Sequence, residues 1–405
     1  WLARILSRPG RRLSDRSQLR EISSKPHGEP AMRMIHILNS PNWSGASHYC
    51  VSLCEKLLHQ GHEILLLTEP GKPRIRAEKL GIPLDDSIRL NHRNPYLYLH
   101  GIKRMAHLFT RFQPDIISSH INEGAWMAGL VARYSVPSAT VVRTRTDIDP
   151  PKSHAINRFV HHHWTDHLIV SSQSHKRICR DLLDYPMESI DVIYGAVDTR
   201  EFTPENAKTS LFRREIGVSP ETVLIGMVAR LDPVKGHEYA LDALRLLESS
   251  LHTSRFVFLG YENQRTCSWL MEQASARGIA DRVIHFGWRD DLSNVVAGMD
   301  IGLISSVGSE ANCRVALEFM ASGKPLVATT VGVIPEIFID GEQGFLVPPR
   351  QPAPMASALS RLLSNPPLRL RMGRQALEHV RTNFNLDFFT TRTEQVYQKA
   401  LNHKR

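Results

Sequence analysis

Short apolar strands alternate with amphipathic helices along almost the whole chain, and this alternation restricts the fold more than any other feature. "MIHILNS" (34–40) is an apolar strand and "PNWSGAS" a loop; "HYCVSLCEKLLHQGH" then sets apolar residues at 50, 53, 54, 57 and 58 on one helical face. Gly61 stops that helix and "EILLLTE" is the next strand, which closes one β-loop-α-β unit. The pattern continues through a helix at 97–112, strand "DIISSH" (115–120), a helix at 123–134 and strand "SATVVRT" (138–144). Strand "HLIVSS" (167–172), a helix at 174–183 and strand "IDVIYG" (190–195) complete the first run. A second run opens at "TVLIGMVARL" (222–231), followed by helix "HEYALDALRLLES", strand "RFVFLG" (255–260) and a helix at 265–277. Strands "RVIHFG" (282–287), "DIGLISS" (300–306) and "PLVATT" (325–330) end it. Such alternation predicts an α/β fold: parallel sheets covered by helices on both faces.

A chain of 405 residues is too long for one core. Two domains are expected, 34–198 and 222–385, with the charged segment 199–221 as linker and a C-terminal helix in 386–405 that crosses back to the first domain. Residues 1–33 read as a disordered basic leader. Residues 1–35 carry eight Lys/Arg against three acids, a net of +5, and have no apolar stretch of the kind a secretory signal needs. "MRMIHILNS" offers an alternative natural start. A basic arm suits a solvated tail or an anionic membrane surface, and nucleic acid is not expected as a partner. No apolar run reaches the roughly 18 residues of a membrane span. Five irregularly spaced cysteines, at 50, 54, 179, 267 and 313, indicate neither a disulfide framework nor a zinc site. The expected location is the cytoplasm, with Cys50 and Cys54 as buried free thiols.

In open parallel sheets ligands bind beyond the carboxyl ends of the strands, so the loops that follow strands are where chemistry is sought. After "TVLIGMVARL" comes "DPVKG": Arg230 ends the strand and Lys235 precedes the Gly236 turn, two cations suited to a diphosphate. After "DIGLISS" comes "VGSEANCRVALEFMASGKP", in which Glu310 lies in the exit loop and Glu318 inside a helix expected over 313–322. Asn312 is the expected N-cap, and Gly323 with Pro325 the stop. The helix N-terminus between the two acids offers unpaired N–H groups to an anion. Two hydroxyl-binding acids flanking an anion site call for a ligand with hydroxylated ends and a charged middle, the shape of a nucleotide sugar.

With "IHFGW", "DGEQGFLVPP" and the order of the other motifs, the run from "GMVARLDPVKG" resembles the donor-binding domain of family 4 retaining glycosyltransferases of the GT-B fold. The first half agrees: "SGASHYCVSLCEKLLHQGHE" is similar to that family's N-terminal loop and helix, and "VIYGAVDTREFTP" to its interdomain crossing. The resemblance spans roughly residues 34–400 and implies two Rossmann-like domains facing each other across a cleft. It implies that Glu318 binds the nucleotide ribose, that Glu310 meets the transferred sugar, and that Arg230 and Lys235 neutralise the leaving diphosphate. Asn312, Cys313 and Arg314 fall in the donor loop. Ser44 and Gly45 approach the phosphates, His120 contacts the donor sugar, and backbone groups near Trp288 and Arg289 hold the base. Neither metal nor cofactor is implied. The acceptor is a glycan or glycolipid, in lipopolysaccharide or surface-polysaccharide assembly. Asn312–Cys313 stands where the family often has an aromatic–glycine pair. Arg143 and Arg145 occupy a region that often carries a histidine, where they suit an anionic acceptor or donor. Val333 follows Gly332 where a second glycine is common.

The cluster "HHHW" (161–164) with His167 reflects local abundance, since fourteen of the 20 histidines fall in residues 36–200, and no metal site is assigned. The helix "YLYLHGIKRMAHLFTRF" (96–112) mixes cations with apolar residues, an ordinary core helix or one lying on an acidic membrane. A nicotinamide oxidoreductase is excluded by the lack of G-x-G-x-x-G, and a P-loop NTPase by the lack of G-x4-G-K-[ST]. A GT-B sugar-nucleotide epimerase and a nucleotide-sugar-binding protein without turnover are the alternatives.

Overall fold

The structure, a computed structural model, describes residues 31–88, 95–120, 125–146, 150–205, 209–247, 254–308 and 310–404; the leader up to residue 30 lies outside them. The chain divides into two compact units, one running up to Ile193 and resuming at Phe389, the other Tyr194–Phe388.

The first unit is a parallel sheet of β1 (Arg33–Leu38), β2 (Glu63–Thr68), β3 (Leu84–Asp85), β4 (Ile116–Ser119), β5 (Thr140–Arg145), β6 (His167–Val170) and β7 (Ile190–Val192). The strand order is β3-β2-β1-β4-β5-β6-β7. Crossover helices join the strands, as parallel pairing requires: α1 (Gly45–His59), α2 (Lys72–Lys79), α3 (Pro95–Phe112), α4 (Ala125–Ser135), α5 (Ala155–Trp164) and α6 (Gln173–Leu183). Strand residues alternate between two covered faces. Ile35, Ile37, Ile117 and Val141 pack with Met105, Phe109, Met127 and Val131 of α3 and α4, while Met34, His36 and Leu38 are also fully or almost fully buried. Two covered faces explain why the strands read as continuous apolar runs.

The second unit is a parallel sheet of β8 (Val223–Val228), β9 (Ser254–Leu259), β10 (Val283–Phe286), β11 (Ile301–Ile304), β12 (Leu326–Thr329) and β13 (Gly344–Val347), in the order β10-β9-β8-β11-β12-β13. Its helices are α7 (Thr209–Glu215), α8 (His237–Arg245), α9 (Cys267–Ala276), α10 (Leu292–Gly298), α11 (Arg314–Ala321), α12 (Ile334–Ile337), α13 (Pro352–Leu363) and α14 (Pro366–Asn383). Ile225, Met227, Phe256 and Phe258 line one face; Leu224, Val228, Val257 and Leu259 line the other.

Helix α7 corrects the reading of 199–221 as a linker. Phe212 is buried in the second unit's core, and Arg213 donates to the Gly298 carbonyl at 2.8 Å and to Asp300 at 3.1 Å. Seven residues are too few to show a helical period, so only packing reveals this element. The last helix, α15 (Leu386–Lys404), starts in the second unit and from Phe389 belongs to the first. There Tyr397, fully buried, donates its hydroxyl to Ser118 at 2.9 Å. Lys399 pairs with Asp191 at 2.8 Å and Glu394 meets His62 at 3.2 Å. Among the described residues no helix is long and apolar enough to cross a membrane.

In each sheet the chain reverses its direction of growth between two adjacent strands, β1 and β4 in the first, β8 and β11 in the second. A crevice opens at the carboxyl end of such a switch point because the flanking crossovers depart to opposite sides. The loops after these strands carry most of the residues singled out from the sequence.

Candidate active site

In the second unit the loops after β8 and β11 are laced together. Asp232, buried, caps a turn over Pro233–Lys235 by accepting from the Val234 amide at 3.1 Å, and accepts from Asn263 Nδ2 at 2.9 Å. Gly236 follows at φ +69°, where an added Cβ would lie 2.1 Å from the Ser305 carbonyl oxygen. Only glycine satisfies both the left-handed backbone and that approach. Ser305 Oγ donates to the Lys235 carbonyl at 2.9 Å and the Val307 amide to the Val234 carbonyl at 2.9 Å. The lacing sets Lys235 Nζ 2.6 Å from Glu310 Oε1, and Ser306 Oγ donates to the same oxygen. Glu310 is only 8% exposed. Its backbone carbonyl accepts from the Val333 amide at 2.8 Å, beside Gly332, whose Cβ would collide with it at 2.0 Å. Arg230, partly exposed, sits 3.4 Å from Asp232.

Helix α11 starts at Arg314, one residue later than expected, and Asn312 is not its cap. Cys313 takes that place in a left-handed conformation, φ 39° and ψ 52°, with no side-chain cap. The reversal at Cys313 takes Asn312 out of capping register; its Oδ1 is buried without a partner, and its Cβ faces the α-carbon side of Gly195, 3.6 Å from where a Cβ would stand. Burial, then Glu310, pushes the Cys313 thiol well above the ordinary range. Glu318 is 2% exposed and takes an i,i+4 ion pair from Arg314 at 2.7 Å. Its second oxygen, Oε2, is buried without a partner. Burial raises its pKa above the ordinary value; Arg314 opposes the shift and Glu201 adds to it.

Arg289 is committed elsewhere, forked onto Asp291 at 2.8 Å and 3.0 Å and onto Glu215. Trp288 is about half exposed and donates to Asp290 at 3.2 Å. Ser305, Ser306, Asp232 and Asn263 were not singled out from the sequence. The strand-end rule points at the two serines, since β11 ends at Ile304, whereas Asn263 lies in a different crossover and nothing local marks it.

In the first unit Ser44 caps α1 by accepting from the Ser47 amide at 3.3 Å, with Gly45 as the first helical residue. His120, just past β4, is 2% exposed; its Nε2 lies 2.9 Å from His36 Nδ1 and 3.3 Å from Ser118 Oγ. Burial and then His36 hold its imidazole well below the ordinary range. Arg143 and Arg145 are both buried on β5. Arg143 donates to His161 Nε2 at 3.0 Å, while His161 Nδ1 faces the Asn157 carbonyl at 2.8 Å. Burial first, then Arg143, lowers His161 to about 3, so a neutral ring accepts from the guanidinium. His162 meets the Leu183 carbonyl, His163 that of Phe159, and His167 pairs with Asp191, so the 161–167 histidines do not converge. Among the described residues the group of metal-ligating side chains that does converge is His36, Cys50 and His120.

Residues 43–201 match the family model described as Glycosyltransferase Family 4, and residues 209–379 the model described as Glycosyl transferases group 1. The chain is 30% identical to the D-inositol 3-phosphate glycosyltransferase of Corynebacterium efficiens, over 88% of this chain and 90% of that protein. It is 23% identical to the N-acetyl-alpha-D-glucosaminyl L-malate synthase of Bacillus anthracis, over 91% of this chain and 97% of that protein. Among solved structures, Anabaena HepE in complex with UDP superposes with a TM-score of 0.81 at 19% identity, covering 91% of this chain and 100% of that one. Two parallel Rossmann-like sheets and these likenesses together make the fold GT-B, and the chain belongs to the family 4 glycosyltransferases.

Proposed function

We propose that this glycosyltransferase moves a sugar from a nucleotide-diphosphate sugar, with retention of anomeric configuration and without a metal ion, to a hydroxyl of an acceptor that carries an anionic group. The observation that carries the donor half is Glu318. One carboxylate oxygen is fixed by Arg314 and the other is buried without a partner, a state that costs free energy until a donor arrives. The paired hydroxyls of a ribose supply such donors. The HepE structures hold UDP and UDP-glucose, which supports a uracil nucleotide as the first to test.

In the proposed reaction the acceptor oxygen bonds to the anomeric carbon on the face that the diphosphate leaves. The carbon–oxygen bond to phosphate breaks, and the acceptor proton passes to the departing phosphate oxygen, so no separate base is needed. Arg230 and Lys235 meet the growing negative charge, and Glu310, oriented by Lys235 and Ser306, faces the sugar. Fixed donors of this kind contribute roughly 3–4 kcal/mol each, whereas about 8–23 kcal/mol is required in all. Orientation of the two substrates supplies the rest.

For the acceptor, the two named relatives act, by their names, on inositol 3-phosphate and on L-malate, both small anions. Arg143 and Arg145, buried on β5, suit such a group. A phosphorylated glycolipid of surface-polysaccharide assembly, met at an anionic membrane facing the cytoplasm, is the second reading. It is favoured by the exposed Leu99, Trp126, Phe159 and Ile156 of α3, α4 and α5.

A thermal-shift screen against UDP-, GDP- and ADP-sugars, followed by product detection with inositol phosphate, malate and phosphorylated glycolipid, tests this reading. At a hundredfold excess over Kd the matching donor stabilises by about 2.7 kcal/mol, or roughly 5–10 °C. No response to any nucleotide overturns the donor reading; binding without transfer to any acceptor favours a binding protein without turnover, and interconversion of the sugar an epimerase.

A further inference from the structure

His36 on β1, His120 just past β4, and Cys50 and Cys54 on α1 form a soft, carboxylate-free cluster beneath the first sheet's switch point. We propose that it binds a thiophilic d10 cation, zinc in the first instance. This goes beyond the donor reading and does not rest on it, and it gives His120 a ligand role in place of the donor-sugar contact that the family resemblance implies.

One ligand atom from each of His36, Cys50 and His120 lies within 4.8 Å of the other two. Cys54 is within hydrogen-bonding reach of both Cys50 and His36. The four side chains come from three places in the chain, β1, α1 and the end of β4, yet are buried together, His36, Cys50 and Cys54 completely and His120 to all but 2%. The imidazoles stack with centroids 5.2 Å apart, and their facing nitrogens, His36 Nδ1 and His120 Nε2, stand 2.9 Å apart. At that distance only one of the two facing nitrogens can carry a proton, and His36 Nε2 and His120 Nδ1 remain buried without partners. Thiols are too weak as donors and acceptors to make good that loss. What the four groups share is soft lone pairs, the donor set of Cys/His zinc sites.

The size also fits. Zinc–nitrogen and zinc–sulfur bonds of about 2.0–2.3 Å put tetrahedral ligands roughly 3.3–3.8 Å apart. The facing nitrogens need to open by only a few tenths of an ångström, and Cys50 Sγ, within 4.8 Å of both, needs to close by about 1 Å at most. Around the cluster, Tyr397 donates to Ser118, and Ser118 touches His120, the kind of outer contact that fixes a ligand ring. On binding, Cys50 Sγ, and Cys54 Sγ if it joins, give their protons to solvent while the cation takes their lone pairs; no redox step is involved. The cation then ties α1, which presents Ser44 and Gly45 at its start, to the ends of β1 and β4.

The test uses the full chain, purified without a polyhistidine tag and with reductant. Elemental analysis is expected to find about one zinc per chain, or about one added zinc bound tightly with a rise in Tm. Cobalt substitution is expected to give visible bands of tetrahedral intensity and a thiolate-to-cobalt charge-transfer band. Cys50→Ser weakens that band and Cys50→Ser with Cys54→Ser abolishes it, while His36→Gln weakens cobalt binding at least tenfold. Because any of these variants can fail to fold, the parent protein decides alone. Absence of both bound zinc and a cobalt–thiolate band overturns the proposal, and so does bound metal without the thiolate band, which places it on other histidines.

Discussion

Replacing Glu318 with Gln separates stability from function in opposite directions. The carboxylate is buried, one oxygen paired with Arg314 and the other without a partner, and its pKa lies above the ordinary 4.5 because burial disfavours the charge. An acid raised on folding binds more protons folded than unfolded. Its contribution to stability is therefore fully favourable below the unfolded value and declines as pH rises through the folded one. A neutral isostere removes the buried charge. Arg314, still partly exposed, hydrates when its partner is lost, so Glu318→Gln is expected to unfold within about 1 kcal/mol of the parent. Ligand binding runs the other way. Hydroxyl bonds to a charged acceptor contribute about 1.5–3 kcal/mol each, so losing that charge costs at least about tenfold in affinity for the donor nucleotide. In the parent the affinity falls as pH drops below the Glu318 value, by up to about tenfold per pH unit; in the variant that dependence disappears. Calorimetric titration with the nucleoside diphosphate from pH 5 to 8, beside thermal unfolding of each sample, measures every quantity involved. A variant that binds as tightly as the parent, or keeps its pH dependence, refutes the ribose assignment.

Lys235→Met strips the counter-ion from a largely buried Glu310 and is expected to cost about 2–4 kcal/mol in denaturant unfolding; loss of turnover without loss of stability would mean the pair is looser than 2.6 Å implies. Glu310→Gln, which keeps the shape and an acceptor for Ser306, is expected to retain nucleotide binding in calorimetry and lose product formation, so equal loss of binding would count against split roles for the two acids. Cys313 holds a left-handed backbone at φ 39°, a strain of about 1–2 kcal/mol for a residue with a Cβ. Cys313→Gly is therefore expected to lose little stability despite the smaller side chain, while Cys313→Val, β-branched at the same φ, loses several times more in thermal unfolding. Transfer activity is expected to proceed without added magnesium or manganese; a strict need for either in the product assay would show that a hard cation neutralises the diphosphate instead of Arg230 and Lys235.

The strand–helix alternation, the parallel sheets, the place of Arg230, Lys235 and Glu310 in loops after strands and that of Glu318 in the helix that follows are all legible in the sequence. Apolar periodicity and glycine turns are local properties, and a parallel sheet confines its ligands to one edge. Pairing is not local. That Lys235 finds Glu310 depends on β8 and β11 becoming neighbours across 75 residues of chain. That Glu318 keeps one unsatisfied oxygen depends on how α11 is buried, and that Cys313 turns left-handed and uncaps Asn312 depends on how the loop closes. Helix α7 was missed because seven residues carry too little period to outweigh their charges. From the sequence Cys50 and Cys54 read as buried free thiols and His120 as a donor-sugar contact, His36 is not singled out, and nothing joins the four, because their proximity is not local. They lie up to 84 positions apart, and only the stacking of α1 on the β1–β4 junction, driven by burial of apolar surface, places them together.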